Sequence, residues 1–154
     1  PRSASGCELF FDKWIFKSDS REYGPDENAR FLVEGEELGG GLGFDGLTEG
    51  RYRYDDFAYV AYTVLSPCSR ITGTLAFDDR TESRSSSYLI IYEDYEEIYR
   101  SEALDESLNR IDIDVAINQN AKTIAFRFET TTPEGQPVAK IVLADLLGYV
   151  HAGE

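Results

Sequence analysis

Apolar residues at every second position, in one segment after another, decide what this chain of 154 residues can fold into. IDIDV at 111–115 alternates without a break, with Ile111, Ile113 and Val115 on one face and Asp112 and Asp114 on the other. TIAFRFE at 123–129 repeats the pattern with Ile124, Phe126 and Phe128. Strand side chains point alternately to opposite faces, so such segments bury one side of a sheet and wet the other. ELFFDKWIF at 8–16, ARFLV at 29–33, RYRYDDFAYVAYTVL at 51–65, ITGTLAF at 71–77 and EEIYR at 96–100 have the same strand character. YLIIY at 88–92 is the nearly continuous apolar run of a strand buried on both faces. VAKIVLADLL at 138–147 reads as the last strand, although its length also admits a helix.

Polar segments separate these runs. SPCS at 66–69, EDY at 93–95, NQN at 118–120 and TTPEGQP at 131–137 read as turns, and DDRTESRSSS at 78–87 as a loop. The glycine-rich EGEELGGGLGFDGLTEG at 34–50 also reads as a loop, since so much glycine weakens helix and strand alike. SEALDESLN at 101–109 is the best helical candidate, with Ser101 as its cap. The sum is about nine strands with no long amphipathic helix, which predicts an all-β antiparallel sandwich of jelly-roll type. One such domain over 7–150, a linker or tail at 1–6 and a tail at 151–154 account for the length. The opening PRSASG lacks an initiator Met and an apolar signal core, and reads as part of a longer or processed polypeptide.

Charge excludes several partners. Asp and Glu number 29 against 15 Lys and Arg, a formal charge of -14. Such a surface repels phosphates, which argues against nucleic acid and anionic lipid. No apolar run approaches the roughly 20 residues of a membrane-spanning helix. Nucleophilic catalysis needs a base poised near neutral pH, and the single histidine, His151, reads as a tail residue. Neither GxSxG nor a phosphate-binding glycine loop is present. Pairs such as Asp55-Asp56, Asp78-Asp79, Glu96-Glu97 and Asp105-Glu106 read first as solvated acidic surface rather than a glycosidase pair. Oxygen donors of this kind also suit a structural calcium ion, but without DxDxDG spacing its ligands stay unassigned. The reading is therefore of a chain without catalytic residues.

Two cysteines, Cys7 and Cys68, permit one disulfide, with two reduced buried thiols as the alternative. Cys7 opens the first strand and Cys68 sits in a turn between central strands. Jelly-roll termini run beside such turns, so a Cys7–Cys68 bridge is expected.

The order of segments from residue 57 onward resembles the NPCBM family, the "novel putative carbohydrate-binding modules", which have a galactose-binding-domain-like jelly roll. AYTVLSPCSRITGTLAFDD at 61–79 is similar to that family's strand, turn and strand ending in an Asp pair. YLIIYEDYEEIYRSEAL at 88–104 looks like its hairpin with a Tyr-x-Ser step, here Tyr99 to Ser101. IDIDVAINQNAKTIAFRFE at 111–129 and AKIVLADLLG at 139–148 resemble the strands that follow. Family members carry a glycine-His segment near the ligand, whereas LGGGLGFDG at 38–46 has the glycines without the His. The resemblance implies a non-catalytic carbohydrate-binding module of an extracellular or cell-surface protein, with a glycan or cell-surface polysaccharide and neighbouring domains as partners. The alternative is a structural, adhesion or spacer module.

Ten tyrosines point the same way, because sugar rings stack their C–H faces on aromatics and pair their hydroxyls with polar side chains. The candidate binding residues are Tyr52, Tyr54 and Asp56 after the glycine-rich segment, Arg80 after the Asp pair, and Asp94 and Tyr95 in the hairpin. Tyr23 sits in a loop, while Trp14, Tyr59 and Tyr62 read as packing residues.

Overall fold

Alternating segments pair as the sequence dictates. The computed structural model describes residues 6–7, 14–17, 31–39, 41–44, 57–64, 68–118, 120–131 and 139–150. Twelve strand segments lie within them: β1 (Gly6–Cys7), β2 (Trp14–Lys17), β3 (Phe31–Val33), β4 (Glu36–Leu38), β5 (Leu42–Phe44), β6 (Phe57–Thr63), β7 (Cys68–Phe77), β8 (Ser87–Glu93), β9 (Glu96–Arg100), β10 (Arg110–Ala116), β11 (Thr123–Thr130) and β12 (Ile141–Val150). One sheet has the order β1-β12-β7-β10, with β5 also on β12; the other runs β2-β6-β11-β8-β9; β3 and β4 form a separate hairpin. Every pairing is antiparallel.

The inner faces of the two five-stranded sheets make the main core. Ile71, Leu75, Phe77, Ile113 and Leu143 from the first sheet are buried with Tyr62, Leu89, Ile91, Ile124, Phe126 and Phe128 from the second. Ile113 and Val115 are buried and Ile111 packs beside them, while Asp112 and Asp114 face outward as their phase predicts. There Arg70 donates to both carboxylate oxygens of Asp114, and the Thr74 hydroxyl donates to Asp112. A second, smaller core forms where Phe31, Val33 and Leu38 of the β3–β4 hairpin cover Ala76, Val142 and Ala144 on the outside of the first sheet.

The Asp78-Asp79 pair pins that hairpin in place. Asp79 accepts from the Glu34 and Gly35 amides, both at 2.8 Å, and its own amide donates to the Leu32 carbonyl. Glu34 and Gly35 have positive φ, as a two-residue hairpin turn of this twist requires. Asp78 is fully buried and accepts from the Leu32 amide, the Arg80 amide and the Arg80 guanidinium.

Three expectations need correction. The segment 34–50 is not simply a loop, because β4 and β5 lie within it. Gly41 serves close approach: a Cβ there would sit 2.0 Å from the Leu143 carbonyl oxygen. The 66–69 turn gives way to strand at Cys68. No helix forms over 101–109. Leu104 bridges to Ser87 and is buried, and the Asp105 carboxylate captures the Ser107 and Leu108 amides in a turn that competes with helix. The last segment is strand rather than helix, with a bulge at Asp145 whose carboxylate accepts from the Gly39 amide.

Strand order also bears on the cysteines. Cys7 faces Gly148 from one side of β12, and Cys68 faces Val150 from the other. Strands two apart are separated by about 10 Å, whereas a disulfide closes Cα atoms no more than about 7 Å apart. This register does not seat Cys7 and Cys68 for the expected bridge; their side chains lie outside what is described.

Candidate functional site

The β8–β9 hairpin turns through Asp94 and Tyr95, both at positive φ, 49° and 72°. That geometry matches a type I′ turn, where glycine or asparagine is the usual occupant and a tyrosine is strained. Three hydrogen-bonding groups seat the turn. The Asp94 carboxylate accepts from the Lys122 amide at 2.9 Å and the Thr123 amide at 3.0 Å, and the Asp94 amide donates to the Thr123 carbonyl. Glu93 accepts from the Asn118 amide at 2.8 Å. The Lys122 amide, followed by that of Thr123, holds the Asp94 carboxyl below the usual carboxylate range despite the opposing effect of burial.

Tyr95 projects from this anchored turn with 58% of its surface exposed. Two further tyrosines lie beside it on the outer face of the second sheet. Tyr59 stands opposite Arg127, and Tyr92 opposite Ala125, so β11 runs between them. Their ring centroids are 5.9 Å apart at 54°. Ala61 and Ala125, buried beneath, contribute only methyl groups and leave the rings room to lie over the sheet. Burial raises the Tyr59 phenol pKa, with the Tyr95 and Tyr92 phenols acting in the same direction and Arg127 against it. The result is an aromatic patch carried on a sheet and an anchored turn.

Arg80 does not join this patch. It lies past the C-terminal end of β7, where Phe77 bonds to Asn109, while the hairpin turn sits with residues 117–123 near the start of β7, where Ile117 bonds to Ser69. β7 spans ten residues, about 33 Å at strand rise. The Arg80 guanidinium forks onto Asp78 at 2.7 Å and so neutralises a buried carboxylate. Asp94 likewise seats the turn, and Tyr95 stands as expected on the surface. Tyr52, Tyr54, Asp56 and Tyr23 lie outside the described residues, as does the Trp14 side chain. Sequence reading missed Tyr59, treating it with Tyr62 as packing. The two are three apart, so in a strand they face opposite ways: Tyr62 enters the core against Phe126 and Tyr59 faces out. Among the described residues no three Asp, Glu, His or Cys side chains converge as metal ligands. With Asp78 and Asp79 bonded to Arg80 and the hairpin, those residues do not fit the structural calcium site considered from the sequence.

No family model matches the sequence, and no curated protein matches it. The fold does match solved structures. The tandem CBM51 modules of Sp3GH98, the family 98 glycoside hydrolase from Streptococcus pneumoniae SP3-BS71, superpose with a TM-score of 0.65 at 13% identity, covering 90% of this chain and 45% of that one. The M60 catalytic domain with CBM51-1 and CBM51-2 from Clostridium perfringens ZmpB gives 0.64 at 15% identity, covering 93% and 15%. The CBM51 from Clostridium perfringens GH95 in complex with methyl-galactose gives 0.59 at 13% identity, covering 88% and 94%. The chain spans less than half the length of the first two. At such identities the shared property is the fold, an antiparallel β-sandwich of jelly-roll type that recurs in carbohydrate-binding modules.

Proposed function

We propose that this chain is a non-catalytic carbohydrate-binding module of NPCBM-like type, working within a larger extracellular or cell-surface protein, and that the Tyr59–Tyr92–Tyr95 patch receives the glycan. One observation carries the reading: Tyr95 is a large, exposed aromatic held at φ 72°. Packing gives no reason for a tyrosine there, and the turn itself favours glycine. Strained, solvent-facing side chains on anchored turns concentrate at binding sites. The fold shared with carbohydrate-binding modules supports the same reading. Tyr95 and Tyr92 would stack on the apolar face of a sugar ring, while phenol hydroxyls bond to its hydroxyls. The site is open and shallow, so affinity should fall between micromolar and millimolar, roughly -4 to -8 kcal/mol.

A glycan array followed by titration calorimetry on its strongest hit tests this. Wild type should give a saturable hit, and Tyr95→Ala should weaken it about tenfold or more, about 1.4 kcal/mol, with an unchanged unfolding midpoint. An array without hits, or a Tyr95→Ala variant that binds as well as wild type, would reject it.

A further inference from the structure

Beyond the tyrosine patch, the outer face of the second sheet continues as an ordered row of polar groups. On β8, Tyr88 shares the face of Tyr92, four residues away, about 13 Å at strand rise. The Tyr88 hydroxyl donates to Glu129 at 2.6 Å, and Arg127 donates to the other oxygen of Glu129 at 2.5 Å. The Arg100 guanidinium lies 5.4 Å from the centre of the Tyr88 ring and forks onto Glu97. Ile90, between Tyr88 and Tyr92 on the strand, is buried. On the opposite sheet, the β3–β4 hairpin covers part of the outer face.

Resting on the carbohydrate-binding reading, we infer that the ligand is a chain of several sugars lying lengthwise along this face. It would run from Tyr95 over Tyr92 and Tyr59 and past Arg127 to the Tyr88–Glu129 pair, in place of a single terminal sugar held at the turn. A terminal-sugar site needs only the turn. The face instead offers aromatic rings at both ends, Tyr92 and Tyr88, with guanidinium and carboxylate groups between them. The Arg127–Glu129 pair within β11, the Arg100–Glu97 pair within β9 and the cross-strand Tyr88–Glu129 hydrogen bond hold those groups in place, so a sugar chain meets donors and acceptors whose positions are already set, which lowers the ordering cost of binding.

The test is chain-length dependence, measured by calorimetry with mono-, di-, tri- and tetrasaccharides of galactose, glucose, mannose and N-acetylglucosamine. In the series that binds, the tetrasaccharide should bind at least about tenfold tighter than the monosaccharide, a gain of about 1.4 kcal/mol. Tyr88→Leu should remove most of that gain and leave monosaccharide affinity unchanged, and Arg100→Gln should reduce it in the same selective way. Because Tyr88→Leu disturbs the Glu129 pair, Arg100→Gln at the exposed sheet edge serves as the second variant, and both are compared at matched unfolding midpoints. Equal affinity for mono- and tetrasaccharide, or variants that weaken both alike, overturns the lengthwise chain and leaves the tyrosine patch standing. Absence of binding to every sugar overturns the carbohydrate-binding reading itself.

Discussion

Asp78 belongs to a pair that reads in the sequence first as solvated acidic surface, and the fold gives it the opposite setting. Its carboxylate is fully buried beside a half-exposed Arg80. Burial pushes its pKa up most strongly, but hydrogen bonds and charge from Arg80, with the Arg80 and Leu32 amides, outweigh this and hold the carboxyl below its usual range. The folded value therefore lies below the unfolded one, near 3.9. The stabilisation is complete above the unfolded value and is lost as pH falls through the folded value. Acid titration of unfolding should show this loss in wild type and a weaker one in Asp78→Ala. That variant should cost about 2–3 kcal/mol by chemical denaturation near neutral pH, because several donors lose a charged acceptor while Arg80 regains water. The Asp pair was visible in the sequence. Its partners, Leu32, Glu34 and Gly35, are more than forty positions away, and no local pattern announces such a contact.

Elements with strict alternation were legible: β10 and β11 run as expected, with Ile113, Phe126 and Phe128 in the core. Elements that depend on a neighbour were not. Of the strands inside the glycine-rich segment, β4 exists because β3 supplies a partner and β5 because β12 does, and Gly41 fits only because it has no side chain. Gly41→Ala should cost about 1–3 kcal/mol, as overpacking does, read from the denaturation midpoint. The hairpin turn makes the converse prediction. Tyr95→Gly removes the strain at φ 72°, so stability should stay level or rise by up to about 1 kcal/mol while glycan affinity falls. A variant that loses stability would show that Tyr95 packs rather than binds.

At the scale of the molecule, two sheets close one core and a hairpin closes a second outside it. Phe126, at the centre of the first, should cost about 3–5 kcal/mol when changed to alanine. With β12 between Cys7 and Cys68, alkylation of the unreduced protein should modify two thiols; a single bridged species would mean that β1 pairs differently. The outer face of the second sheet carries the account's central claim, that glycan is held over Tyr59, Tyr92 and Tyr95. Amide chemical-shift mapping during titration with the strongest array hit tests it most directly. The account predicts the largest shifts at Tyr59, Arg127 and residues 92–97. Shifts gathered around Arg80 and the 78–87 loop, or on the outer face of the first sheet around Arg70 and Tyr149, would contradict it.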